Sequence, residues 1–246
     1  MGVTLALREE RHRMEVVFRC PAGLEAILPR PYAAVEGLPE WFKNMPLKAK
    51  SAVLGGEDWT VKRCPPFIDA MTYGFMMPLA ADLAYTDGAF SWDWGIGGTP
   101  LSEHSRSPID FHDNSQAIGS PFFEEDCFLI KFASFWTIEL PPGYSLLVTH
   151  PINRAELPFL TLTGLVDADR YTENFVNFPA AWIKKDFAGV LPKGTPVAQC
   201  IPVEREKWTL RCEALTDGQS SRLAELRMTI NAERGVYRKN FRANKR

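Results

Sequence analysis

Long apolar runs, histidines and paired cysteines are what this 246-residue sequence has least of. No apolar stretch approaches the ~18 residues of a membrane-spanning helix. Val3–Leu7 is too short for the apolar part of a signal peptide, and Glu9 and Glu10 follow at once. The five cysteines are odd in number and include no Cys-x-x-Cys, which argues for reduced thiols and a cytoplasmic protein. The four histidines form neither His-x-Asp nor His-Glu-x-x-His. No sign of charge dominates: 28 Lys and Arg stand against 30 Asp and Glu. A net charge of −2 neither recruits nor repels nucleic acid through the field of the whole chain. Internal repeats and low-complexity linkers are absent as well. What is present is apolar material, 46% of residues with 12% aromatic, enough for a core and too much for a disordered chain.

The texture of the chain divides it into three. Residues 1–13 hold a run of charge from Arg8 to Arg13 and read as a disordered leader, with Met14 a candidate start. Residues 14–215 read as one mainly β domain, opening on a strand at Glu15–Arg19. An irregular packing segment follows, punctuated by Pro21, Pro29, Pro31 and Pro39, with one short helix at Leu24–Leu28. Further strands are expected at Gly74–Leu79, Asp82–Tyr85, Ala89–Trp94, Phe128–Phe132, Trp136–Leu140, Ser145–His150, Phe159–Val166, Phe175–Phe178 and Val197–Val203. Asp87-Gly88, Pro141-Pro142-Gly143 and Pro192-Lys193-Gly194 supply turns between them. Short strands at this spacing favour a sandwich or small barrel over alternating β-α units. Residues 216–246 read as a helix to about Glu233, capped at Ser220-Ser221, then a basic arm with Arg234, Arg238, Lys239, Arg242, Lys245 and Arg246.

One series of motifs is more specific. Trp136-Thr-Ile-Glu-Leu-Pro-Pro-Gly-Tyr144 precedes Gly164-Leu-Val-Asp167-Ala-Asp169, then Val176-Asn177, then Leu191-Pro-Lys-Gly194-Thr-Pro-Val-Ala-Gln199. Asp69-Ala-Met-Thr-Tyr-Gly-Phe75 stands upstream. In this order the chain resembles the dUTPase and dCTP-deaminase family over about residues 67–203. By the whole pattern it also resembles uncharacterised bacterial and phage proteins. The resemblance implies a dUTPase-like β-clip, a jelly-roll barrel, and a homo-oligomer with exchanged C-terminal arms. Where the family cradles phosphate, this chain has His150-Pro-Ile-Asn153-Arg154, and Arg154 is the one cation there.

The residues suggest three chemistries. A carboxylate at a strand end, Asp167 with Asp169 beside it, can orient a water; His150 is the third catalytic candidate, and Asn153–Arg154 a clamp for an anion. Gln199 has an amide that bonds backbone or fixes a substrate's polar group. Second, His104 or His112 with His150 and a nearby carboxylate could hold iron as two histidines and one acid. Third, Phe90, Trp92 and Trp94 alternate onto one strand face, which packs in the core or stacks a flat ligand.

The function expected is that of a small-molecule enzyme, transforming a nucleotide-like or heteroaromatic substrate by water attack. Mg accompanies that nucleotide reading and Fe the histidine reading, a non-haem oxygenase. The alternative to both is a non-catalytic β-barrel module that binds a ligand or assembles. The partners expected are a small-molecule ligand and further copies of the chain through the C-terminal arm. Neither a membrane nor nucleic acid is the expected partner.

Overall fold

The computed structural model describes residues 14–53, 55–93, 107–122 and 128–243. The leader at 1–13, Trp94, His104, Lys245 and Arg246 lie outside the described residues. In chain order the strands are β1 (Val17–Arg19), β2 (Tyr32–Ala33), β3 (Lys48–Lys50), β4 (Glu57–Trp59), β5 (Phe75–Pro78), β6 (Asp82–Thr86), β7 (Ala89–Asp93) and β8 (Ile109–Phe111). They continue with β9 (Leu129–Ala133), β10 (Thr137–Glu139), β11 (Tyr144–Thr149), β12 (Phe159–Thr161), β13 (Gly164–Val166), β14 (Asn177–Trp182), β15 (Gly189–Leu191) and β16 (Pro196–Glu204). The helices are α1 (Glu40–Asn44), α2 (Pro65–Thr72), α3 (Asp217–Ala232) and α4 (Val236–Asn240).

The chain divides into two compact units, the first Met1–Pro39 with Met71–Arg205, the second Glu40–Ala70 with Glu206–Arg246. The first unit is mainly β. Its largest sheet has the order β13-β11-β16-β5-β2, a second β12-β14-β9-β8, a third β15-β6-β7, and β1 pairs β10. Among the described residues every pairing is antiparallel, both in the tight hairpin β6–β7 and between strands far apart in sequence such as β5 and β16. Alternation sets the faces over the second half of β11, where Val148 is buried between half-exposed Leu147 and Thr149, while Leu146 and its neighbour Ser145 are both buried. Between the sheets lies a ring-packed core. Phe132 and Phe159 are 4.7 Å apart at their centroids, and Trp182 lies 5.0 Å from both Tyr85 and Phe90. Each such side chain taken from water contributes about 1.5–3 kcal/mol.

A closed barrel was the expectation, and among the described residues the sheets instead stay open. Closure requires the two outer strands of a sheet to pair with each other. In the five-stranded sheet those are β13, three residues long, and β2, two residues long, on opposite edges of the order. The expected strand Phe159–Val166 divides in two. β12 pairs β14 in one sheet and β13 pairs β11 in another, so the chain changes sheets at Leu162-Thr163. The short helix expected at Leu24–Leu28 forms turns, tied by the Leu28 N–H to the Leu24 carbonyl at 2.8 Å.

Gly74 shows how closely β5 and β16 approach. Its φ is +76°, and a Cβ there would sit 2.1 Å from the Cys200 carbonyl oxygen. Only glycine tolerates that combination.

In the second unit, Phe42 is buried with the rings of Trp41 and Phe67 at 5.7 and 6.3 Å. Lys62 Nζ donates to the carbonyls of Lys43 and Met45 at 2.6 and 3.0 Å, which fixes the start of this unit. The C-terminal helix is present as α3. Its cap is Thr216 and not Ser220-Ser221, because Gln219 three residues on completes a capping box. The basic segment beyond it folds as α4: Val236 is buried, and Arg242 grips Asp69 through Nη2 at 2.6 Å and Nε at 3.2 Å.

Candidate functional site

The tight turn Pro141–Tyr144 leads into β11, with the Tyr144 N–H on the Pro141 carbonyl and Gly143 at a φ of +90°. Beside it ends β13, whose Val166 pairs with Leu146. The turn at Gly143 and the acids after Val166 therefore meet. The Gly143 N–H donates to Asp169 Oδ2 at 2.9 Å, and the buried Ser145 hydroxyl donates to Asp167 Oδ1 at 2.7 Å.

A cation closes this cluster, and it is Arg205. Its guanidinium donates through Nη1 to Asp169 Oδ1 at 2.7 Å and through Nη2 to Asp169 Oδ2. Nη1 also reaches the Tyr144 carbonyl at 2.9 Å, Ser145 Oγ at 3.2 Å and Asp167 Oδ1 at 3.3 Å. The hydrogen bonds from Arg205, then that from the Gly143 N–H, hold the Asp169 carboxyl well below the usual carboxylate range. The same pairing pushes the Arg205 guanidinium further up. Asp169 is thus a fixed anion clamped by two elements. Asp167 keeps 56% of its side-chain surface exposed at the rim of the same cluster.

The residues expected to complete a substrate site lie elsewhere in the first unit. Arg154 is engaged by Glu156 and donates to the Gly37 carbonyl at 3.1 Å. Asn153 takes a φ of +63° in the turn closed by the Arg154 N–H on the Pro151 carbonyl. Gln199 is fully buried; its Oε1 accepts from the Ile152 N–H at 3.0 Å and its Nε2 donates to the Tyr73 carbonyl at 2.7 Å. The amide thus bonds backbone, one of the two roles its position suggested.

His150 has both ring nitrogens engaged. Nδ1 accepts from the Thr161 N–H at 3.2 Å and Nε2 donates to the Arg154 carbonyl at 3.1 Å. Burial lowers its pKa from the ordinary value, so the neutral ring is the folded form near neutral pH. Neither nitrogen keeps a lone pair for a metal in this arrangement. His112 Nδ1 instead faces Gln116 Oε1 at 2.9 Å. Among the described residues no three His, Cys, Asp or Glu side chains gather as a metal ion requires. Phe90 joins the aromatic core, 4.8 Å from Tyr85, while Trp92 on the same strand remains 38% exposed.

A concavity belongs to the second unit. It has a volume of about 840 Å³, and Trp59, Arg63, Arg234, Tyr237, Arg238 and Lys239 are among the residues lining it. Arg63 lies 4.3 Å and Lys48 5.1 Å from the Trp59 ring.

No family model matches this chain. No curated protein does either. Among solved structures the chain is similar to a mutant dUTPase from phage phi11 of S. aureus, described for the coordination of a structural Mg(II) ion. Identity is 15%, over 37% of this chain and 74% of that one, with a TM-score of 0.26. The neighbour belongs to the family that the motifs resemble, but at that score neither fold nor activity carries across.

Sequence reasoning missed Arg205. Its signal was indirect: once Tyr144 is paired with Glu204, the next residue must fall beside Gly143. Trp59 and Arg63 were missed as a pair because they stand in a segment without strong periodicity.

Proposed function

We propose that this chain is a non-catalytic binding module that assembles with further copies of itself through residues 206–232. One observation carries the reading. α3 is a 16-residue helix with a complete capping box, and none of its residues is buried. The run before it leaves Trp208 82% and Leu210 92% exposed. A helix of ~15 residues is marginal in water unless a face is packed. Gly218, Ser220, Ser221, Thr229 and Asn231 make this one weaker than most.

Leu223, Leu226 and Ile230 fall on one face of α3 by their spacing. With Trp208, Leu210 and Leu215 they hold out apolar surface of the order that a standard interface covers, ~800 Å² per partner. A second copy is the occupant that fits, since every chain presents the same surface at the same concentration. The polar groups of the first unit support the same reading. Asp169, Arg154, Gln199 and His150 each satisfy the chain's own structure, and a catalytic group must instead face a reacting atom.

Mass in solution tests this. The full chain is expected at a multiple of 27.7 kDa by light scattering. Trp208→Asp combined with Leu210→Asp is expected to return it to the single-chain mass, with the strand signal in circular dichroism kept and part of the helical signal lost as α3 frays. A single-chain mass for the unaltered protein at micromolar concentration overturns the proposal. So does hydrolysis of a nucleoside triphosphate with Mg²⁺ that Asp167→Asn abolishes.

A further inference from the structure

The net charge of −2 conceals a segregation. The second unit carries fifteen Lys and Arg against nine Asp and Glu, and the first unit thirteen against twenty-one. The sequence set nucleic acid aside on whole-chain charge, yet charges beyond about 8–10 Å are screened in physiological salt, so the charges nearest a site bear on its partner more than the total does.

We infer that the cavity of the second unit is a binding site for single-stranded nucleic acid, seating one base among Trp59, Arg63 and Tyr237. Three observations converge. The cavity, about 840 Å³, falls within the range of sites that enclose a small ligand or one nucleotide of a strand. Its wall combines two aromatic side chains, Trp59 at 37% and Tyr237 at 46% exposure, with the planar guanidinium of Arg63 laid over the indole. Bases stack on such rings and on guanidinium planes. Finally, Arg234, Arg238 and Lys239 line the same cavity, and Lys48 flanks its tryptophan.

The acids lining this site are Asp58 and Glu233, and Glu57 lies 3.6 Å from the flanking Lys48. Asp58 accepts from the Trp59 N–H at 2.7 Å and lies 3.9 Å from Arg234, so it positions the platform and leaves the cations in excess. A strand fits better than a free mononucleotide. Four cations, Arg63, Arg234, Arg238 and Lys239, line the cavity, more than one phosphate needs. That pattern suits a polyanion whose phosphates repeat. A duplex fits worse, because its bases are stacked on one another and cannot enter.

The test is fluorescence anisotropy of a labelled oligothymidylate 12-mer with the full chain. Three or four phosphate contacts predict that affinity falls about 20- to 50-fold between 50 and 200 mM salt. Loss of one stacking platform in Trp59→Ala predicts a further loss of about tenfold at fixed salt. Arg238→Gln with Lys239→Gln, both near the surface, keeps the test valid if Trp59→Ala unfolds, and should make the salt dependence shallower. Unlabelled thymidine monophosphate, duplex and heparin are the competitors. The inference is overturned by no binding at 50 mM salt, or by monophosphate or duplex competing as well as the oligomer. It is also overturned by heparin competing equally while neither variant changes affinity, since that describes a diffuse cationic surface. Ile230 of α3 also lines the cavity, so the anisotropy is repeated with Trp208→Asp combined with Leu210→Asp: binding kept while the mass falls shows that this site and assembly fail separately.

Discussion

Replacing Gln199 separates a structural amide from a substrate-binding one. Gln199 lies on β16 between Thr149 of β11 and Met76 of β5, and it has no exposed surface. In Gln199→Leu the Ile152 N–H loses its acceptor and the Tyr73 carbonyl loses its donor. A buried polar group left without a partner costs about 1–3 kcal/mol, so the pair sets a range of about 2–6 kcal/mol. Ile152 is half-buried and Tyr73 exposed, which lets water reach the orphaned groups. The expected loss therefore lies in the lower half, about 2–3 kcal/mol. For a chain of this size that is a fall in Tm of roughly 5–10 °C. Urea unfolding followed by tryptophan fluorescence gives the free energy directly. Gln199→Glu is expected to lose stability too, because an oxygen then faces the Tyr73 carbonyl. A loss below about 1 kcal/mol in both variants would refute the reasoning and return Gln199 to the list of ligand contacts.

Three further expectations come from single contacts. Gly74→Ala places a Cβ 2.1 Å from the Cys200 carbonyl at a φ of +76°, so it should cost at least about 2 kcal/mol by urea unfolding, and an unchanged midpoint would contradict the close approach of β5 and β16. Arg205→Ala should let the Asp169 carboxyl titrate higher, read by carbon-detected NMR. Because the folded pKa of Asp169 is depressed, the stability it contributes is present above the ordinary value of 3.8 and lost as pH falls below it; the variant should lose less stability over that acid range, and an unmoved Asp169 titration would contradict the clamp. His150 has a folded pKa below 6.5, so the unfolded chain takes up its proton first and stability should fall as pH drops through 6.5 towards the folded value; an NMR midpoint above 6.5 would show that the ring is not held neutral by burial.

How much of this was legible in the sequence depends on the range over which each feature is decided. Alternation and turn residues are local, and β5, β6, β7, β11 and β16 fall within a residue or two of where the pattern put them. The helix near the C-terminus was legible for the same reason. Whether a sheet closes depends on which edge strands meet, and the shortness of β2 and β13 carries no such signal. The neighbourhood of Gly143, Asp167 and Asp169 was legible from motif order. The partner of those acids was not, because Arg205 lies 36 residues beyond Asp169 and reaches it only through the β11–β16 register. Arg154 looked like an anion clamp because its sequence neighbours are polar, while in space it is held by Glu156 and the Gly37 carbonyl. The segregation of charge between the two units was invisible to the whole-chain total, since each unit joins two distant stretches of chain.

Hydrogen–deuterium exchange over residues 208–232, at high and low protein concentration, tests assembly through this segment most directly. Assembly predicts slow exchange of the α3 amides at high concentration. Dilution, or Trp208→Asp with Leu210→Asp, should make them fast while β11 and β16 stay protected. Fast exchange along α3 at every concentration, beside protected sheets, would mean that no second copy covers it.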